Sequence, residues 1–68
     1  DKSWEIREAV ARNINLNENI LEELSCHWSW RVREAVASNP RTTAKTLMQL
    51  AQDPDQSVQK AAKCRIKT

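Results

Sequence analysis

Apolar residues recur at spacings of three and four along five short stretches, and each stretch is bounded by a capping or breaking residue. The first runs from about Trp4 to Arg12, with Ser3 placed to cap it. Ile6, Ala9, Val10 and Asn13 fall on one face of it, with Glu5, Glu8 and Arg12 on the polar side. Trp4 and Ala11 share a further direction, so this helix is expected to have neighbours on two sides. Glu8 stands four residues before Arg12, the spacing of a modest helical ion pair. A second helix, about Glu18 to Ser25, has Asn17 as its cap, Ile20, Leu21 and Leu24 as its inward stripe, and Glu18, Glu22 and Glu23 facing water. The third, about Trp30 to Ser38, repeats at Ser29 the capping role of Ser3 and stops at Asn39-Pro40, where the proline ring disfavours helical geometry for Asn39. The fourth, about Ala44 to Ala51, starts from Thr42 or Thr43 and turns Leu47, Leu50 and Ala51 inward, with Met48 as a partial filler. The fifth, about Gln56 to Arg65, is capped by Asp55 and carries Val58, Ala61 and Ala62, and the tail from Ile66 is expected to fray.

The pattern repeats. Laid at a period of 26 without gaps, residues 1–26 and 27–52 agree at Ser3/Ser29, Trp4/Trp30, Arg7/Arg33, Glu8/Glu34, Ala9/Ala35, Val10/Val36, Ala11/Ala37, Asn13/Asn39, Leu21/Leu47 and Leu24/Leu50. Residues 53–68 begin a third unit, with Val58 under Val32 and Ala61 under Ala35. A fixed period of this length means stacked helical pairs, each burying a face on the next, with small Ala positions allowing close approach. The expected organisation is one helical-repeat domain over residues 1–68, with units 1–26, 27–52 and a partial 53–68. The sequence does not start with Met, so a segment of a longer protein is expected, although removal of a tag would look the same.

Composition narrows the fold class to all-α. Gly is absent, Pro occurs twice, and the only aromatics are Trp4, Trp28 and Trp30. Such a chain closes its helices with Asn, Asp, Ser and Pro instead of Gly. It has no signal peptide and no long apolar run, so membrane insertion and export are not expected. Cys26 and Cys64 allow one disulfide on count, but the composition points to two reduced, partly buried thiols in a cytoplasmic protein. Charge is polarised. Residues 1–29 hold six acidic against three basic residues, and residues 30–68 hold three against eight, within a net charge of +2.

The segment Trp30-Arg31-Val32-Arg33-Glu34-Ala35-Val36-Ala37-Ser38-Asn39-Pro40-Arg41-Thr42, followed by Leu47, Leu50-Ala51 and Asp53-Pro54-Asp55, resembles the leucine-rich repeat variant family, a bacterial helical repeat related in form to HEAT and armadillo repeats. The resemblance covers nearly the whole chain and departs at Ile14, where the pattern has Pro, and at His27-Trp28, where it has Asp-Pro. It implies a right-handed α-α superhelix, a solenoid of about two and a half repeats, in which the second helix of each unit is short or 3₁₀-like. It implies no shared active site.

Candidate chemistry is sparse. Cys26, His27 and Cys64 make three metal donors where zinc takes four in paired spacings, so no metal and no cofactor is expected. His27 has no Ser, Cys or carboxylate at motif spacing, so no enzyme activity is expected. Trp28, Trp30, Arg31 and Arg33 interleave aromatic with basic residues, a pattern able to stack bases and meet phosphates. Recurrence of Trp4 and Trp30 at the period argues that both fill gaps between units, whereas Trp28, whose counterpart is Pro54, does not recur and is the best exposed contact residue. Arg7 and Arg33 are equivalent, Gln59 breaks their row, and Lys60, Lys63, Arg65 and Lys67 form a basic end. The leading expectation is a non-catalytic module for protein–protein interaction or scaffolding that binds through Trp28, Arg7, Arg31, Arg33, Lys60 and Lys63. The alternative is nucleic-acid backbone binding by the basic half. A third class places an active site elsewhere in a longer parent chain. Open solenoid ends, with Val58 and Ala62 exposed on helix five, imply weak self-association.

Overall fold

The computed structural model describes residues 3–13 and 15–66, apart from the Ser3 side chain. Among them lie five helices and no strand: α1 (Ser3–Ala11), α2 (Glu18–Leu24), α3 (Trp30–Ser38), α4 (Ala44–Leu50) and α5 (Gln56–Ile66). The expected cap at Ser3 and the chain beyond Ile66 lie outside the described residues. The second helix of each unit, α2 or α4, is seven residues long, slightly shorter than the pattern drew it, and both are α-helical.

Helix ends follow from local acceptors. Asn17 accepts the Asn19 N–H at 2.7 Å and starts α2. Thr43, not Thr42, caps α4 by accepting the Thr46 N–H at 3.3 Å. Thr42 instead donates its hydroxyl to the Val36 carbonyl at 2.5 Å, satisfying a buried helix-end acceptor. Asp55 accepts the N–H groups of Ser57 and Val58 at 2.8 and 3.2 Å and starts α5. Asn39 ends α3 in extended geometry, as a residue before proline must. Ser29 stands at the cap position of α3, but its side chain makes no capping hydrogen bond.

Helix α3 lies between α1 and α5, and α4 packs chiefly on α5. The core is a single cluster of Ala11, Leu21, Leu24, Val32, Ala35, Val36, Ala37, Leu47, Leu50, Val58 and Ala62. Trp4, Leu16, Ala51 and Ala61 pack against it half-buried. The Cα envelope measures 32 × 25 × 14 Å, its least dimension about that of two packed helix layers.

Several inward assignments change because α1 stands at one end of the row. It buries Ala11 against α3, while Ile6 remains 69% exposed and Ala9 and Val10 are also exposed. Their counterparts Val32, Ala35 and Val36 are fully buried, because α3 has a helix on each side. Ala9, Ala35 and Ala61 thus run from exposed through buried to half-buried. Ile20 and Met48 face outward rather than inward. Val58 and Ala62, expected to be exposed on α5, are both fully buried; the large apolar side chains left exposed include Ile6 and Val10 on α1, Met48 on α4 and Ile66 at the end of α5.

Candidate interaction surface

The turns that follow α1, α2, α3 and α4 share one device. Asn13, Asn39 and Asp53 each accept the backbone N–H two residues ahead through Oδ1, at 2.9, 2.8 and 2.9 Å. His27 does the same through Nδ1, 3.1 Å from the Ser29 nitrogen. A backbone N–H only donates, so this Nδ1 carries no proton and the ring is neutral with its hydrogen on Nε2.

Two of these residues also tie neighbouring units together. The Asn39 amide reaches back across one period and donates to the carbonyls of Ala11 and Asn13, at 2.7 and 2.9 Å. Asp53 receives Arg33, whose Nε lies 2.6 Å from Oδ2 and whose terminal nitrogen lies 3.2 Å from Oδ1. The other guanidinium nitrogen donates to the carbonyls of His27 and Trp28, at 2.7 and 3.0 Å. Arg33 therefore welds the turn before α3 to the turn before α5, and its donors are engaged within the fold. The Gln59 amide donates to the Asp53 carbonyl at the same turn.

The six expected binding residues are not equivalent. Arg33 is structural in its contacts, as described. Arg31 is exposed, with its guanidinium carbon 4.9 Å from the Trp4 ring centroid and 5.2 Å from that of Trp30. It bridges the two recurring tryptophans across α1 and α3, a cation–π arrangement on both sides. Trp30 is 39% exposed, so it covers the gap between units only in part. Trp28 is 61% exposed and lies beside His27, ring centroids 5.2 Å apart. Arg7 is exposed on α1, close enough to His27 for its charge to act on the imidazole. Burial first, then Arg7 and Arg33, holds the His27 pKa below its ordinary value of 6.5. Lys60 and Lys63 are exposed on α5 and line, with Gln56, Gln59 and Cys64, a shallow groove of ≈ 460 Å³.

Both cysteines are free, and both are exposed rather than partly buried. Among the described residues no three His, Cys, Asp or Glu side chains converge as a metal set. No helix among them is long and apolar enough to cross a membrane. The Arg33–Asp53 pair and the acceptor role of His27 escape a reading based on helical faces, since both depend on turns. The available signal was the 26-residue offset between His27 and Asp53, which puts both at the same corner.

Among the described residues these features define a small helical protein whose turn acceptors recur at a spacing of 26 residues. Residues 30–55 match the family model of the leucine rich repeat variant, the family whose motif the chain resembles. No curated protein and no solved structure matches the chain.

Proposed function

We propose that the chain is a non-catalytic helical-repeat module for protein–protein interaction or scaffolding, built as a right-handed superhelix of about two and a half 26-residue units and working in the cytoplasm. The observation that carries this reading is the pairing of a recurring structural unit with one exposed, non-recurring aromatic. Trp28 is held on a turn whose backbone carbonyl is bonded to Arg33, so a large apolar side chain is presented from a fixed base. Tryptophan in such a setting is a common binding anchor, because it offers much contact area at little entropic cost. Exposed Lys60 and Lys63 would steer an acidic partner rather than fix it. Nucleic-acid binding is the weaker reading: two of the arginines that would meet phosphates are occupied, Arg33 by Asp53 and two carbonyls, Arg31 by two indoles.

The test is affinity capture on immobilised protein, comparing the parent with Trp28→Ala, alongside gel retardation with duplex and single-stranded DNA at low salt. Trp28 is mostly exposed, so its removal leaves the core intact. Proteins retained by the parent and lost with Trp28→Ala support the proposal. An identical set retained by both variants refutes the role of Trp28, and strong retardation that weakens steeply with salt would transfer the function to nucleic acid.

A further inference from the structure

The corner before α3 and the corner before α5 are one period apart and make the same turn, but with different acceptors. At the second, Asp53 accepts the Asp55 N–H and also neutralises Arg33, which stands twenty residues before it. At the first, Arg7 stands twenty residues before His27, in the equivalent relation. The imidazole accepts the Ser29 N–H as the carboxylate accepts its own, but it offers Arg7 no negative charge. The charges acting on the ring are Arg7 from α1 and Arg33 from α3, both cations, the latter paired with Asp53.

We propose that His27 makes the docking of α1 on α3 sensitive to mild acid. Neutral, its Nδ1 completes the turn in the position that Asp53 fills one period later. Protonated, it has no acceptor to offer the Ser29 N–H, and it adds a positive charge beside two arginines. The corresponding tie between α3 and α5 contains no histidine: Asp53 fills the acceptor position there and meets Arg33 directly. Acid therefore loosens one end of the protein before the other. Helix α1 keeps its remaining ties to α3, the Asn39 amide on the Ala11 and Asn13 carbonyls and the Arg31 guanidinium over Trp4, so the change is a loosening and not a loss of the helix.

The direction of the linkage agrees. The pKa of His27 is lowered in the folded chain, so the unfolded chain takes up the proton more readily. The stability at stake is complete above about pH 6.5 and is lost as pH falls through the lower folded-state value. The proposal depends on the correspondence of two turns and is independent of the binding role.

Thermal melting and amide hydrogen exchange of the parent, His27→Asn and His27→Asp, between about pH 7.5 and about pH 5, test it. Asparagine already fills the same acceptor position at residues 13 and 39, so His27→Asn keeps the turn and cannot titrate. The parent is expected to melt lower and to exchange its α1 amides faster in acid, with α5 amides little changed. His27→Asn is expected to lose most of that pH response. His27→Asp, which supplies Arg7 with the carboxylate that Arg33 has, is expected to melt higher than the parent at neutral pH. A flat parent response, a full response in His27→Asn, or acid loosening of α5 ahead of α1 would each overturn the proposal.

Discussion

Removing the Asp53 carboxylate should be the most damaging single change at a turn of this protein. Its side chain is 8% exposed and that of Arg33 is 15% exposed, so the pair is largely shielded from water. Asp53→Ala deletes two contacts with Arg33 and the acceptor of the Asp55 N–H, which opens the turn into α5. It also strands a guanidinium that retains only the two carbonyls of His27 and Trp28. Breaking one side of such a pair costs about 3–5 kcal/mol. A domain of this size holds about 3–10 kcal/mol in all. At about 4–8 °C per kcal/mol, the melting temperature should fall by at least about 12 °C, and part of the population should be unfolded at room temperature. Asp53→Asn keeps an oxygen for the Asp55 N–H but loses the charge, so it should fall between the two. The double variant Arg33→Met/Asp53→Ala should recover much of the loss, because replacing both members by apolar groups leaves no stranded charge. Circular dichroism melts of the four proteins at low and at about 0.5 M salt decide it, since a shielded pair is little affected by screening. An Asp53→Ala protein within about 1 kcal/mol of the parent would show that the pair contributes nothing to holding α5.

Three further outcomes follow from the packing. Ala35 is 1% exposed in the helix that lies between two others, so Ala35→Asp should cost about 3–5 kcal/mol, read by denaturant unfolding; an unchanged midpoint would place Ala35 in water. Thr42→Val keeps the shape but removes the hydroxyl from the buried Val36 carbonyl, which should cost about 1 kcal/mol by the same assay. Glu8→Gln breaks an exposed helical ion pair of 3.0 Å and should change stability by less than about 0.5 kcal/mol; a larger loss would mean that Glu8 does more than meet Arg12.

Helix existence was legible in the pattern because each of the five stretches carries its own periodic stripe and its own stop. All five fall within a residue or so of their expected bounds, and the caps at Asn17 and Asp55 are those the residue types imply. Which face is buried was less legible, because a stripe says that a helix is able to pack and not that a neighbour is there. Ile6 and Val10 carry the same stripe as Val32 and Val36, yet only the latter have a helix on that side. The candidate surface shows the same limit. Arg33 and Arg31 look alike in the sequence as exposed cations, but one is captured by a carboxylate twenty residues on and the other by two indoles. Asp53 and Trp4 both lie outside α3, so neither capture is fully visible within that helix. Both depend on the repeat, which brings distant positions to one corner.

Among the described residues none has a positive φ. Every corner is thus drawn in backbone territory that any L-amino acid can occupy, and what specifies a corner is one side-chain acceptor aimed at an N–H two places ahead. Asparagine, aspartate and histidine all perform this task in the one chain. Mutational drift can therefore exchange a neutral, an anionic or a proton-responsive group at a bend without re-routing the main chain, so the electrostatic character of each joint is free to evolve apart from its shape.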